Sequence, residues 1–529
     1  MSRLQTAPLG SVPGAKRVTL STLVEAAGSR ILESPKGARA ALISIIAVEC
    51  VVLLLTAANK PFWYDELLTF YISGLHPFSV LWTALKAGAD GMPPTFYALI
   101  QFARRLPGDP HVILRLPSLA GYAFTLVSVY CFVRRRLPAI SALAAVLVIS
   151  LTPFRSFAIE ARSYSLMVGF FAIAAVLWQR IGGSWFIAPL FAISLAVAVS
   201  CHHLAVVALS CFGVAELVNI FVTRRIRFSV WTALVVATSP FLFSLPVLLH
   251  FRSLYGRHFW AQPTWDRMFT TYCEYIGMTA ITALLPVVVL GIGLAGVLLA
   301  GWRRSQTEQF GERGFSLPEL ALISAFLVYP AFLVVLTKAQ ASGYTPRYGW
   351  PVILGIALAS AVFLSTYLLR SAAVLVLCAL VVGFAIQSGQ DLKHLSRANL
   401  DVVDGWSALP EFRNSNSDVP VVISNGMQYL VMARYSSPNL QRRLVEVADS
   451  EQAIRRAGSN SVDTANRVLS HFVPLRVEDA EPFLSQHPIF FLQSGTERLD
   501  WFTAYLLEKK YHLTVLWQHT SISGYLVQK

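Results

Sequence analysis

Long apolar runs alternate with short polar or basic segments over most of the chain. A bilayer core about 30 Å thick needs roughly 20 apolar residues per helix, so this pattern predicts a polytopic α-helical membrane protein. The first run is too long for the core of a signal peptide and is interpreted as an uncleaved membrane helix. About eleven spans are predicted, near residues 40–58, 112–133, 138–154, 163–179, 185–201, 204–222, 229–249, 277–301, 317–337, 349–369 and 371–387.

Composition supports this interpretation. Of the 529 residues, 55% are hydrophobic and only 14% are charged, and the mean hydropathy is +0.56. Soluble domains average about 25% charged residues, so a soluble enzyme is excluded. The net charge of +14 is attributed to membrane topology, and no nucleic-acid partner is expected. The six cysteines show no spacing that indicates a disulfide framework or a zinc site.

The positions of short basic clusters predict the orientation, because such clusters favour the cytoplasmic side. The N-terminal tail, residues 1–39, is expected in the cytoplasm and the C-terminus outside it. The clusters assigned to the cytoplasmic side are Arg134 to Arg136, Arg180, Arg224 to Arg227, Arg303 with Arg304, and Arg370. The segments predicted on the outer side are 59–111, 154–162, 250–276 and 338–348. A bacterial cytoplasmic (inner) membrane is the expected location.

Two regions do not follow the membrane pattern. The first outer loop, residues 59–111, contains glycines and prolines among aromatic residues at helical spacing, which predicts two short amphipathic helices along the interface. Residues 388–529 are mixed polar and charged, with strand-like runs at 419–424, 488–493, 513–518 and 522–528. A transmembrane domain, 40–387, is therefore followed by an extracytoplasmic α/β domain.

Two adjacent acids, Asp65 and Glu66, follow the first span at its outer boundary and begin a helix-like stretch. Acids in the first helical turn often satisfy free N–H groups and the helix dipole, so their position alone does not decide between a structural and a catalytic role. Glu49 lies inside the first span, and an acid there should face the helix bundle and have a partner.

Five motifs then occur in order: WYDE, DGMPPTFYALI, HVILRLPSLAG, FAIEARSYSL and PRYGWP. In this order they resemble the GT-C superfamily of membrane glycosyltransferases, over roughly residues 40–370. The chain is most similar to glycosyltransferase family 39, which comprises dolichyl-phosphate-mannose-protein mannosyltransferases and bacterial enzymes that transfer sugars from polyprenyl phosphate.

The resemblance implies a GT-C fold and a reaction. A sugar would pass from a polyprenyl-phosphate donor to a cell-envelope glycan, lipid or protein, with inversion at the anomeric carbon. Asp65 would be the catalytic base that accepts the acceptor proton, with Glu66 and Glu160 as supporting acids. Glu160 with Arg162 is equally compatible with an interfacial ion pair that fixes a helical hairpin.

The substrate-binding residues implied by the resemblance carry structural alternatives. Arg162 and Arg347 are candidates for binding the donor phosphate, since a guanidinium matches phosphate geometry, although an arginine at a membrane boundary also snorkels commonly. Tyr348 adjoins Arg347. His202 and His203 match a position where the family has a histidine, yet a packed, hydrogen-bonded histidine is the commoner case. Arg115 is interpreted as a helix-end anchor.

A metal is a further possibility. Asp65 and Glu160 could bind Mg²⁺ or Mn²⁺, but two carboxylates make an incomplete shell, and no other cofactor is expected. Two departures from the family matter: Met92 precedes Pro93 and Pro94 where relatives have a histidine, and the C-terminal region does not resemble the β-trefoil of eukaryotic protein mannosyltransferases. These departures disfavour protein O-mannosylation.

Other function classes remain open. A lipid-sugar transporter or flippase would have many spans, but with repeat symmetry and polar helix breaks near the midplane, whereas the polar residues here gather at one face. A non-catalytic envelope assembly protein would tolerate Asp65→Asn. An enzyme similar to O-antigen ligases would differ in using a lipid diphosphate donor.

Overall fold

The computed structural model describes residues 34–277, 314–340, 342–395, 406, 418–495, 500–519 and 521–529. Its first part is helical. The α-helices are α1 Pro35–Asn59, α2 Tyr64–Ser73, α3 Phe78–Lys86, α4 Pro94–Ala103, α5 Pro110–Ile113, α6 Leu116–Arg134, α7 Ala139–Ser150, α8 Tyr164–Trp178, α9 Ile187–Cys201, α10 Ala205–Thr223, α11 Phe228–Val236, α12 Ser239–Tyr255, α13 Arg267–Ile276, α14 Leu317–Ala339, α15 Val352–Tyr367 and α16 Arg370–His394. Short 3₁₀ helices occupy Pro153–Ile159, Gly256–His258 and Pro346–Gly349.

Helices occupy ten of the eleven predicted spans, and the remaining one, 277–301, lies outside the described residues except for Gly277. By length and hydropathy, six of the described helical segments are able to cross a membrane: α1, α6, α10, α11 with α12, α14 and α16. A seventh results if α7 and the 3₁₀ helix after it, bent by 69°, form one span. Helices α8, α9 and α15 are apolar but shorter.

Helices α6 and α8 pack closely because glycines face each other. A Cβ at Gly121 would lie 2.3 Å from the Leu166 Cα atom, and one at Gly169 would lie 2.3 Å from the Gly121 carbonyl oxygen. Small residues let helix backbones approach in membranes, where lipid supplies little hydrophobic drive for association. This contact places the start of α8, and with it Arg162, beside the start of α6.

Glu49, in the middle of α1, has the interior partners that the sequence could not name. Its carboxylate accepts a hydrogen bond of 2.8 Å from Arg155 Nε and one of 3.0 Å from the Tyr122 hydroxyl. Arg155 also pairs with Asp391 near the end of α16. This buried network ties α1, α6 and the segment after α7 to α16.

The first outer loop differs from the prediction of two helices. It contains three helices of nine or ten residues, α2, α3 and α4, followed by the single turn α5. The chain breaks between α2 and α3 at Gly74 and Pro77, and between α3 and α4 at Gly88 and Pro93. Proline interrupts helices there because it lacks an N–H, and Gly88 ends α3 with a φ of 99°, which glycine adopts readily.

The C-terminal part is the expected α/β domain. Its strands are β1 Val421–Ile423, β2 Leu444–Val447, β3 Val477–Glu478, β4 Ile489–Gly495, β5 His512–His519 and β6 Ile522–Gln528, in the order β3-β2-β1-β4-β6-β5. Its helices are α17 Gly426–Tyr435, α18 Pro438–Gln441, α19 Ser450–Ala457, α20 Ser461–Ser470, α21 Ala480–Gln486 and α22 Phe502–Glu508. Strands β1 to β4 pair in parallel, and β6 runs antiparallel to both β4 and β5.

The C-terminal domain forms hydrogen bonds with the first outer loop and with the segment after α12. The Tyr435 hydroxyl accepts a 2.7 Å hydrogen bond from the Phe62 backbone N–H and lies 2.9 Å from His111 Nε2. The Trp260 N–H donates to Ser461 Oγ at 3.3 Å. Helix α16 continues to His394, past the predicted domain boundary at residue 388.

Candidate active site

Helix α2 carries the two acids singled out from the sequence. Trp63 is its N-cap residue, and Asp65 and Glu66 lie in its first turn. Glu66 completes a capping box in which its carboxylate accepts the Trp63 N–H at 3.4 Å. The local sequence therefore satisfies the helix N-terminus with Glu66 and leaves the Asp65 side chain for other partners.

The Glu66 side chain is fully buried, and its hydrogen-bond partners belong to the membrane domain. Arg115, itself buried, donates two hydrogen bonds to the Glu66 carboxylate, of 2.7 Å and 2.8 Å. The Ala161 N–H donates a third of 2.7 Å. Arg115 also donates to the carbonyl oxygens of Ala57 and Lys60. Arg115 is thus an interior ion-pair partner rather than a helix-end anchor exposed to lipid, and Glu66 fixes the position of α2.

The Asp65 side chain, unlike that of Glu66, faces a cavity that also contains arginine side chains. Its Oδ2 pairs with Arg347, whose guanidinium stacks 4.6 Å from the centre of the Trp63 ring. Burial alone would lower the pKa of Arg347, but the charge of Asp65 raises it above its ordinary value. Among the described residues no hydrogen bond reaches Asp65 Oδ1. This oxygen is available to a proton donor in the cavity.

Arg162 links Asp65 to a second acid, Asp90, which the sequence analysis did not single out. Its Nη1 donates to Asp90 Oδ2 at 2.7 Å and to the Asp65 carbonyl oxygen at 3.2 Å. The Tyr97 hydroxyl and the Gly91 N–H also donate to Asp90, at 2.5 Å and 2.6 Å. The sequence feature that could have identified Asp90 is its position as the first residue of the DGMPP motif, just before the prolines that begin α4.

Glu160 lies close to this group without a hydrogen-bond partner for its Oε2 among the described residues. Burial raises its pKa to about 7; Lys60 opposes that rise, and Glu66 adds to it. Arg347 and Asp65 also act on Glu160 electrostatically. Glu160 is not among the residues that line the cavity described below.

A cavity of about 450 Å³ opens in front of Asp65. Its charged lining residues are Asp65, Asp90, Arg162, Arg252 and Arg347, and its lining also includes the predicted residues His202, His203 and Tyr348. The apolar wall comes from Val206, Val207, Phe241, Leu245, Leu248, Leu249 and Leu336 on membrane helices, and Ser461, Val462 and Ala465 come from the C-terminal domain. A largely apolar cavity with a few convergent polar groups is typical of a binding site.

The two histidines are buried and uncharged. Burial lowers the pKa of His202 to about 3 and that of His203 to about 4. His202 Nδ1 accepts the Leu204 N–H at 3.1 Å and its ring lies 4.5 Å from the Tyr348 ring. His203 Nδ1 lies 3.3 Å from Ser244 Oγ, while its buried Nε2 has no partner among the described residues. His203 thus contributes a buried nitrogen with no hydrogen-bond partner among the described residues to the wall of the cavity.

The donor set fits a divalent metal poorly. No group of three or more His, Cys, Asp or Glu side chains that could hold a metal ion occurs in the described part of the chain. Asp65 is paired with Arg347, which already supplies positive charge there. We therefore derive no step through a metal at Asp65 and Glu160.

The whole chain is similar to solved membrane glycosyltransferases. ArnT from Cupriavidus metallidurans bound to undecaprenyl phosphate aligns with a TM-score of 0.53 at 14% identity, over 92% of this chain and 97% of that chain. The same protein in the apo state gives a TM-score of 0.54 at 13% identity and the same coverage. The chain has the GT-C fold. Together with its apolar helices, this GT-C fold makes it an integral membrane protein.

An oligosaccharyltransferase from Archaeoglobus fulgidus, tethered to an acceptor peptide, aligns more distantly, with a TM-score of 0.46 at 13% identity over 91% of this chain and 74% of that chain. No protein-family model matches the chain, and no curated protein sequence matches it. The fold is thus recognised through structure, at 13–14% sequence identity.

Proposed function

We propose that this protein is a membrane glycosyltransferase that moves a sugar from a polyprenyl-phosphate donor to a hydroxyl of an envelope glycan, lipid or protein. The observation that carries the proposal is the meeting of Asp65, Arg162 and Arg347 in one cavity whose remaining wall is largely apolar. A transfer reaction needs all three elements: a base, positive charge for the leaving phosphate, and an apolar surface for the prenyl chain.

The donor would bind with its chain against the membrane helices. Leu245, Leu248 and Leu249 lie on α12, Val206 and Val207 lie at the start of α10, and all five face the cavity. This apolar wall leads to Arg347 and Arg162, whose planar guanidinium groups suit a phosphate monoester or diester. The structural neighbour ArnT was solved with undecaprenyl phosphate bound, which supports a donor of this lipid class.

The chemical step would be a single displacement. The acceptor oxygen attacks the anomeric carbon while Asp65 Oδ1 takes its proton, and the bond between that carbon and the phosphate oxygen breaks with its electron pair going to the phosphate. Arg347 and Arg162 stabilise the negative charge on the departing polyprenyl phosphate. Attack opposite the leaving group inverts the anomeric configuration and requires no covalent intermediate with the enzyme.

The roles of the remaining residues follow from this arrangement. Asp90, with three donors on its carboxylate, orients Arg162. His202 and Tyr348 pack against each other at the cavity wall, and His203 lies in the same wall. Glu66 holds α2. A location in a bacterial inner membrane with the cavity on the outer face remains part of the proposal.

The decisive experiment measures sugar transfer by purified protein in detergent from a panel of radiolabelled short-chain polyprenyl-phosphate sugars. Asp65→Asn keeps the shape of the side chain and removes the base, so we expect transfer or donor hydrolysis to fall by about 10²-fold or more. Glu451→Gln is the matched control, because that carboxylate is 79% exposed in the C-terminal domain. The same assay with EDTA and with added Mg²⁺ or Mn²⁺ tests for a metal, and we expect no change.

The outcomes separate the function classes. Equal activity of wild type and Asp65→Asn would refute the role of Asp65 as base. Turnover only with diphosphate donors would indicate an enzyme similar to O-antigen ligases. No turnover with any donor would refute the transferase proposal and favour a lipid-sugar flippase or an assembly protein.

A further inference from the structure

Tyr64 stands between the cavity and the C-terminal domain. It is the first residue of α2, it precedes Asp65, and it lines the cavity. Its hydroxyl donates a hydrogen bond of 3.2 Å to Asn466 Oδ1. The two residues are 402 positions apart in the chain. Burial, the largest cause, raises the pKa of Tyr64 well above its ordinary value, so the hydroxyl stays protonated and acts as a donor.

Asn466 is placed to receive this bond and no other orientation of its amide would serve. Its side chain is fully buried in α20, and its Nδ2 donates to the Gly426 carbonyl oxygen at 2.9 Å and to Glu446 Oε2 at 2.8 Å. With both amide hydrogens directed at acceptors, only Oδ1 remains for Tyr64. A flipped amide would place Oδ1 against the Gly426 carbonyl oxygen, which can only accept a hydrogen bond.

The rest of the network holds Asn466 rigidly. A Cβ at Gly426 would lie 2.3 Å from Glu446 Oε1 and 2.9 Å from Asn466 Nδ2, so the backbone approaches the two side chains as closely as only a glycine permits. Glu446 is 1% exposed. Burial, together with the charge of Asp463, raises its pKa well above its ordinary range. The cluster is therefore a buried, closely packed support.

Asp65 is thus flanked by two anchored neighbours. Glu66, which follows it, is bound by Arg115 of the membrane domain, and Tyr64, which precedes it, is bound by Asn466 of the C-terminal domain. The Asp65 side chain is 19% exposed and pairs with Arg347, while the backbone from which it projects is held on both sides. Its direction follows from how the first turn of α2 is held.

We propose that Asn466 is a positioning residue, through which the C-terminal domain fixes Tyr64 and hence the direction of Asp65 in the cavity. The C-terminal domain is in this view a part of the active site rather than an appended module. The proposal rests on the proposed glycosyltransferase function, with Asp65 as base. Small displacements of a reacting group lower catalytic rates strongly, so a hydrogen bond at this place acts on the chemical step.

The test compares Tyr64→Phe, Asn466→Ala and the double variant in the sugar-transfer assay, with kcat and KM for the donor measured separately. We expect each single variant to lower kcat about 10-fold while the donor KM stays within about twofold, because binding is retained and alignment is lost. The double variant should lose no more than either single variant, since both remove the same hydrogen bond.

Tyr505→Phe is the matched control. It removes a tyrosine hydroxyl that pairs with Glu481 within the C-terminal domain, and we expect wild-type kcat. A loss of kcat in Tyr64→Phe alone, with Asn466→Ala unaffected, would show that the Tyr64 hydroxyl acts on substrate and would overturn the proposal. Additive losses, or lower thermal stability with unchanged kcat in the folded enzyme, would also overturn it.

These results are distinguishable from failure of the function itself. If the wild type transfers no sugar from any donor, the proposed function fails. If the wild type is active and Asp65→Asn is not, but both Tyr64→Phe and Asn466→Ala retain full kcat, the enzyme assignment stands and only the positioning role is refuted.

Discussion

Neighbouring side chains of one type serve different purposes at the residue scale. Asp65 and Glu66 are consecutive acids, yet Glu66 is fully buried with Arg115 while Asp65 reaches the cavity and pairs with Arg347. Consecutive positions on a helix point about 100° apart, which is enough to send one carboxylate into the protein and the other into the cavity. The environment and not the residue type assigns the role.

Glu160 yields a prediction about pH and stability. Burial raises its pKa from an ordinary value of 4.5 to about 7, so the folded protein keeps a proton that the unfolded chain releases between these values. The stability contributed by this proton is complete below about pH 4.5 and is lost as pH rises through about 7. At about 1.4 kcal/mol per pKa unit, the loss amounts to roughly 3 kcal/mol.

Glu160→Gln should remove this dependence. Thermal unfolding of the purified proteins between pH 4.5 and pH 8 should show the wild type losing stability relative to Glu160→Gln as pH rises. Glu451→Gln, in which an exposed carboxylate is changed, should follow the wild type throughout. Parallel curves for the wild type and Glu160→Gln would show that the pKa of Glu160 in the folded protein stays near its ordinary value of 4.5.

Part of this site could be predicted from the sequence. The resemblance pointed to eight residues, and all of them except Glu66 and Glu160 line one cavity: Asp65, Arg162, His202, His203, Arg347 and Tyr348. The sequence alone could not reveal the Glu66–Arg115 pair or the contact of Tyr64 with Asn466, because those partners lie 49 and 402 residues apart. Contacts of that range depend on tertiary packing, which no local pattern encodes.

At the scale of elements, apolar runs predicted the helices well and their interruptions less well. The predicted span 138–154 is a helix that ends at Ser150 and then bends by 69° into a 3₁₀ helix beginning at Pro153. A proline near the end of an apolar run causes this break, since it cannot continue the backbone hydrogen bonds. Glu160 and Arg162 follow this bend, and Arg162 there contacts the first turn of α2.

The close contact between α6 and α8 gives a prediction about a single substitution. Gly169→Ala would place a Cβ 2.3 Å from the Gly121 carbonyl oxygen, and backbone cannot yield without separating the helices. We expect destabilisation of about 1–3 kcal/mol, seen as a lower unfolding temperature in detergent and a lower yield of folded protein.

Gly213→Ala is the control for this change. No heavy atom lies within 4 Å of a Cβ built at Gly213 in α10, so alanine should be neutral there or stabilise the helix by up to about 1 kcal/mol. The same effect at both positions would mean that helix propensity, and not the approach of α6 and α8, accounts for the loss at Gly169.

At the scale of the whole molecule, one contact constrains the topology. The hydroxyl of Tyr435, in the C-terminal domain, binds the N–H of Phe62, just after α1. Both residues therefore lie on the same face of the membrane, and the chain between them crosses an even number of times. The ten predicted spans after the first satisfy this condition, and an odd number would not.

The predicted orientation places that face outside the cytoplasm, and it is testable by thiol labelling of a variant that lacks the six native cysteines. Glu451→Cys introduces a thiol at an exposed position of the C-terminal domain, and Arg135→Cys does so at an exposed position after α6. Helix α6 has 19 residues and starts beside Arg115 at the site, so at about 1.5 Å per residue it carries Arg135 to the opposite face.

In right-side-out spheroplasts, a membrane-impermeant maleimide should label Glu451→Cys at once and Arg135→Cys only after detergent is added. The physical reason is that basic clusters such as Arg134 to Arg136 are retained on the cytoplasmic side during insertion. Labelling in the reverse order would place the cavity in the cytoplasm, where Asp65 would meet donors and acceptors of the inner leaflet. Labelling of both thiols without detergent would contradict the full crossing of α6.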